Sequence, residues 1–147
     1  MKNLFLLVIL MIFGQQALCA EESAPDIGRI RVKVAGLKND LGDLRIALFN
    51  SKTGFPGKSE LAFSRTVIPA EGETHVHLIE QVPYGTYAVA VFHDENRNGK
   101  LDTNFLGIPK EAVGASNNPK SRFGPPSFDD AKFVLDRSEV ELEIRMR

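Results

Sequence analysis

From Arg29 onward the chain repeatedly alternates apolar and polar side chains with a period of two, the pattern of strands with one buried face. In Arg29-Ile30-Arg31-Val32-Lys33-Val34 the cations face one way and the aliphatics the other. Leu44 to Phe49 begins the same way and ends fully apolar. Thr74-His75-Val76-His77-Leu78 alternates throughout, and Val140, Leu142, Ile144 and Met146 alternate with charged residues. Thr86 to Phe92 is almost continuously apolar, which predicts a central strand buried on both faces. Phe63 to Ile68 and Ala131 to Leu135 are weaker candidates. Turn residues lie between them: Lys38-Asn39-Asp40 with Gly42, Gly54-Phe55-Pro56-Gly57, Glu71-Gly72 and Pro83-Tyr84-Gly85. Apart from one turn around Ser59 to Ala62, no segment carries a capped helical period. About seven short strands so separated predict an all-β fold, an antiparallel β-sandwich.

Two segments depart from this pattern. Leu4 to Phe13 is an unbroken apolar run behind Lys2, followed by Gly14-Gln15-Gln16 and then Ala17-Leu18-Cys19-Ala20. The run is about half the length needed to span a bilayer. Cation, apolar run and small residues together predict a secretory signal peptide over residues 1–20, cleaved beside Cys19 or Ala20. The mature chain, residues 21–147, is then a single domain outside the cytoplasm, periplasmic or secreted. Cys19 is the only cysteine. Gln16 and Leu18 are poor residues for a lipoprotein box, so a lipid anchor at Cys19 is not expected, and the mature chain has neither disulfide nor thiol chemistry.

The second segment is Thr103 to Asp130, rich in Gly, Pro, Asn and Ser. A stretch this long inside a compact domain is usually functional or disordered. Its Phe105, Leu106, Ile108, Val113, Phe123 and Phe128 are more apolar anchors than a linker needs, which predicts one long ordered loop against the sandwich.

Composition narrows the function classes. Of 147 residues, 43% are hydrophobic and 25% charged, and the formal net charge is -1, so no basic face invites nucleic acid. No polybasic run invites an anionic membrane either.

The readable chemistry lies directly after the apolar strand. Asp94-Glu95-Asn96-Arg97-Asn98-Gly99-Lys100-Leu101-Asp102 has the form D-x-N-x-N-G-x-x-D. Calcium takes six to eight oxygens, and side-chain oxygens at positions one, three and five converge when the chain wraps an ion. The expected ligands are Asp94, Asn96, Asn98, the Lys100 carbonyl and Asp102, with Gly99 permitting the turn. Phe105 stands where a helix-flanked calcium loop has its bidentate Glu, so a further ligand is expected from water, from Thr103 or Asn104, or from Asp129 or Asp130. With two carboxylates in the core set, the dissociation constant is expected on the order of 10⁻⁵ to 10⁻³ M. The alternative is an Asx-rich turn without metal.

Pro83-Tyr84-Gly85-Thr86-Tyr87, the run Ala88 to Asn96, Asn98-Gly99-Lys100-Leu101-Asp102, Gly107-Ile108-Pro109-Lys110-Glu111, Ser116-Asn117-Asn118 and Pro125-Pro126-Ser127-Phe128-Asp129-Asp130-Ala131 together form one long signature. It resembles the exported bacterial DUF2141 family, a domain of unknown function, and the resemblance brings no activity with it. More loosely, the Pro-x-Gly-x-Tyr lead into the central strand is similar to prealbumin-like and other immunoglobulin-like sandwich modules, some of which carry Asp/Asn-rich calcium loops after that strand. This implies fold and metal by analogy, and fold does not fix function.

Other constellations carry less. His75, His77 and His93 could hold zinc or copper if their strands met, but His75 and His77 are expected on a solvated face opposite Val76 and Leu78. Ser116 lacks a nucleophile-elbow pattern and is expected to bond its own loop's backbone. Glu95, Glu111, Asp129 and Asp130 offer carboxylate pairs for glycoside hydrolysis. Phe105, Phe123, Phe128 and Tyr84 are expected to pin the loop rather than form a binding patch. The leading expectation is a non-enzymatic binding or accessory module with a structural calcium and an unknown protein or glycan partner. The alternatives are an extracytoplasmic hydrolase of envelope glycan or ester and a purely structural envelope protein.

Overall fold

A computed structural model describes residues 26–120 and 123–147, and the leader expected at residues 1–20 lies outside them. The chain runs β1 (Ile27–Ala35), β2 (Asp43–Phe49), a short 3-10 turn (Ser59–Leu61), β3 (Ser64–Pro69), β4 (Thr74–Pro83), β5 (Gly85–Asp94), β6 (Val113–Ala115), α1 (Phe128–Ala131), β7 (Phe133–Leu135) and β8 (Glu139–Arg145). One sheet has the order β4-β1-β8. The other has the order β3-β2-β5-β6, with β7 continuing the β6 edge of β5. The two sheets form a β-sandwich, and their inner faces share one core that includes Ile30, Val32, Leu44, Ile46, Val89, Val91 and Ile144. Burying a side chain of this size contributes about 1.5–3 kcal/mol. Among the described residues no helix is long and apolar enough to cross a membrane.

The alternation locates the inward faces of β1, β2 and β8, and β5 is interior to its sheet as its apolar run requires. Three features differ from the expectation. First, β1 and β8 pair in parallel, Ile30 with Val140 through Ala35 with Arg145, so the sandwich is not wholly antiparallel. Such a pair needs a long crossover, here the rest of the chain. Second, β4 presents its faces the other way round. Val76 and Leu78 are 55% and 37% exposed, while His75 and His77 share the half-buried face with Ile79. Ile79 joins the core, and the strict period of two then carries the histidines inward with it. Third, the Thr103–Asp130 stretch is not one loop. It contains β6 and most of α1.

Strand β6 also ties the sheets together. Val113 and Arg147 exchange backbone hydrogen bonds at 3.0 Å each way. The Asn118 side chain donates to the Glu143 carbonyl at 2.7 Å and accepts from the Arg145 amide at 2.8 Å. Gly114 sits at this junction, where a Cβ would lie 2.6 Å from Ile144 Cγ2.

Candidate functional site

Asp94 ends β5 and is completely buried, unlike a turn carboxylate left to solvent. Its burial follows from register. Asp94 pairs with Asp43 at the start of β2, and the connection before β2 lies against it. Gly42 (φ 71) passes so close that a Cβ there would fall 2.0 Å from the Asp94 carbonyl oxygen, so no other residue fits.

Three donors hold the carboxylate. Arg45 Nε donates to Oδ2 at 2.6 Å, the Gly99 amide to Oδ2 at 2.9 Å, and the Asn98 amide to Oδ1 at 3.0 Å. Burial alone pushes this carboxyl up, but Arg45 and the two backbone N–H groups outweigh it and hold it below the usual range. Arg45 is the partner that local sequence reasoning missed. It lies on β2, two residues beyond Asp43, and cross-strand register brings it to Asp94.

Past Asp94 the chain turns through Arg97 (φ 57) and Gly99 (φ 79). The Asn96 side-chain oxygen accepts from the Asn98 amide at 3.1 Å, and the Asn98 oxygen from the Lys100 amide at 2.8 Å. These are successive Asx turns, the local closure such residues favour. The other ends of both amides converge on one carboxylate: Asn96 Nδ2 donates to Asp102 Oδ2 at 2.7 Å and Asn98 Nδ2 to Asp102 Oδ1 at 3.1 Å. Glu111, buried, closes the loop from below by accepting from the Glu95 amide at 3.1 Å and the Asp102 amide at 2.9 Å. Thus Asn96, Asn98 and Asp102 meet around one point, while Asp94 forms the adjoining root of the turn and Lys100 follows Gly99 at its tip.

The distant ligand candidates are elsewhere. Asp130 accepts from Ser127 Oγ and from the Ser127 amide in the capping box of α1, and Asp129 pairs with Lys132 at 2.7 Å. That helix packs near Ala88, about 20 Å from Asp94 along β5 at roughly 3.3 Å per residue. Among the described residues no three His, Cys, Asp or Glu side chains cluster as a metal site. A donor set of two carboxylates, amides and a carbonyl is of another kind.

The other sequence candidates have structural partners. Ser116 Oγ accepts from the Val89 amide at 2.9 Å and donates to the Ala131 carbonyl at 2.6 Å, buried and away from any histidine bond. His93 Nε2 donates to the Leu41 carbonyl at 2.5 Å from a buried position, while the half-buried His75 and His77 sit on β4 in the other sheet. The histidines therefore form no triad. Phe128 pins its segment through edge contacts in the series Phe49–Phe55–Phe128 at 5.3 and 5.8 Å. Phe105 does not pin its segment, at 94% exposed.

The signature residues thus occupy defined places in one structure, Tyr87 included, whose hydroxyl donates to the Pro83 carbonyl at 2.9 Å. A family model described as "Uncharacterized protein conserved in bacteria (DUF2141)" matches residues 32–143. The chain belongs to this DUF2141 family. No curated protein and no solved structure matches the chain. In this DUF2141 member the matched region spans β1 to β8 and includes the whole Asp94–Asp102 loop.

Proposed function

We propose that the chain is an exported, non-enzymatic binding or accessory module of immunoglobulin-like or prealbumin-like type, and that its Asp94–Asp102 loop holds a structural calcium. The observation that supports this is the convergence of Asn96 and Asn98 on Asp102 within a turn rooted in buried Asp94. In the structure two amide N–H groups face the Asp102 carboxylate. Turning each amide about its terminal bond would present its oxygen to the same point, where the ion would replace the two N–H donors and offset the loss of the bonds from the Asn98 and Lys100 amides. Asp102, the Asn oxygens and the Lys100 carbonyl would supply ligands, with water completing a sphere of six to eight. Asp94 would take part through the acceptor capacity that its three donors leave, since an ionised carboxylate has about four lone-pair sites.

Arg45 sets the strength of this site. It already neutralises Asp94, so Asp102 carries most of the available negative charge and affinity stays in the weak range suited to extracytoplasmic calcium. The bound ion would order the root of the 103–110 segment, whose tip exposes Phe105, Leu106 and Ile108 for recognition.

The test is thermal unfolding of the purified protein in calcium and in chelator. At free calcium near 100 times the dissociation constant, binding adds about 2.7 kcal/mol. The rise in midpoint is expected in the wild type and lost in Asp94→Ala and Asp102→Asn. Asp102→Asn keeps the Arg45–Asp94 pair and so isolates the ion. A wild-type midpoint indifferent to calcium sinks the metal.

A further inference from the structure

Two rows of side chains cross the outer face of the larger sheet. Register aligns Arg65, Ala47, Ala90 and Ala115 in one row, and Val67, Arg45, Phe92 and Val113 in the next. The alanines keep the floor low, while the chain rises around it at Pro56–Glu60, Gly99–Pro109 and Pro125–Pro126. The result is a cleft of about 1100 Å³. That is slightly above the range of small-molecule sites, roughly 300–1,000 Å³.

Its lining combines exposed apolar surface with charge of nearly one sign. Val67, Leu106 and Ile108 are 51%, 67% and 55% exposed around the cleft, an apolar area left to water. The charges are of nearly one sign: Arg45, Arg65, Lys100, Arg145 and Arg147 against Glu60. Arg45 is held by Asp94 and Arg145 by Glu143, but Arg65 and Lys100 have no carboxylate in ion-pair distance among the described residues.

We propose that this cleft binds an anionic amphiphile, with an acyl chain lying over the alanine floor against Leu106 and Ile108 and an acidic headgroup, carboxylate or phosphate, met by Arg65 and the other lining cations. The exposed Val67, Leu106 and Ile108 supply affinity through area removed from water, while the buried Ala47 and Ala115 only shape the floor. The cations supply selection by charge, since a cationic or neutral head of the same chain length leaves them unsatisfied. The proposal rests on the binding-module reading but not on the calcium, which is scored by a different measurement.

The test is fluorescence titration of the purified protein with dansyl-undecanoic acid, run with calcium and with chelator, followed by displacement. Palmitate is expected to displace the probe at least about tenfold better than hexadecyltrimethylammonium, which has the same chain and the opposite charge. Arg65→Glu is expected to weaken probe binding by about tenfold, and Val67→Asp, on an exposed edge strand, by a comparable factor, both with unchanged unfolding midpoints. Phosphatidylglycerol vesicles separate a free amphiphile from a bilayer. Sedimentation with vesicles that palmitate does not compete away, with no probe bound in solution, overturns the assignment. Equal displacement by the two amphiphiles overturns it too. A calcium-independent midpoint with intact probe binding removes the ion and leaves the cleft.

Discussion

On the outer face of the three-stranded sheet every cation of β1 meets a carboxylate of its parallel neighbour. Arg29 and Arg31 both bond Glu139, the latter at 3.0 Å, Arg31 approaches Glu141 at 4.0 Å, and Lys33 meets Glu143 at 3.3 Å. The outer face of the larger sheet is built from the same alternation, yet it carries alanines, an ion pair on buried Asp94 and, among the described residues, cations without a carboxylate, under projecting loops. The first face is a solvated surface whose charges answer one another. The second has its charges either sunk into the fold, as at Asp94, or left over. Sign alone does not separate them, since both are rich in cations. What separates them is that every cation of β1 finds a carboxylate, whereas on the larger face Arg45 does and Arg65 does not among the described residues.

The sharpest way to break this comparison is to remove Arg45. Arg45→Met leaves the buried Asp94 carboxylate without its cation, and in chelator the unfolding free energy is expected to fall by about 3 kcal/mol. Calcium should recover part of that loss if the loop holds the ion. Denaturant titration with and without calcium measures both. If Arg45→Met costs no more than a surface substitution, the two faces are energetically alike and the contrast fails.

Gly114→Ala probes the seam between the faces. Its Cβ would meet Ile144 at 2.6 Å and Met146 Sδ at 3.1 Å, and overpacking of this kind costs about 1–3 kcal/mol. The same denaturation series reads it, and a neutral result would show that β6 can lift off β8 freely. Ser127→Ala removes the cap of α1, which closes the far end of the roofed face through Ala131 and Phe128. It is expected to cost about 1 kcal/mol.

Acid offers a subtler probe of the core between the faces. Burial lowers the His77 pKa. Folding is therefore favoured by the neutral form, a contribution complete above the unfolded value of about 6.5 and lost as pH falls through the lowered folded value. The unfolding midpoint should drop as pH falls below about 6.5, and His77→Gln should flatten part of that slope. The smallest effect belongs to the paired face. Glu141→Gln, at 64% exposed, is expected to change stability by less than about 0.5 kcal/mol. A larger loss would mean that the ladder is a network and not a set of screened pairs.

Much of this architecture was legible before any coordinates. Period-two alternation located β1, β2 and β8, the apolar run of β5 announced its interior place, and the Asp94–Asp102 spacing announced a closed turn. Strand β6 was not legible because three residues, Val113-Gly114-Ala115, are too few to show a period. The α1 cap was present as Ser127 with Asp130 three residues on, but a helix of four residues has no apolar period to confirm it. The inward turn of His75 and His77 was hidden because alternation identifies two faces without saying which one meets the core.

The sequence by itself determined what depends on near neighbours: which segments extend, where they turn, and that the residues after β5 close a turn. Only the tertiary structure decided what depends on register between distant segments. It brought Arg45 to Asp94, Glu111 beneath the turn, β8 parallel to β1, and alanines from three strands into one floor. The reason is physical. A strand's own periodicity is local backbone geometry, whereas its partner is chosen by the shared burial of both inner faces, a property of the whole chain at once.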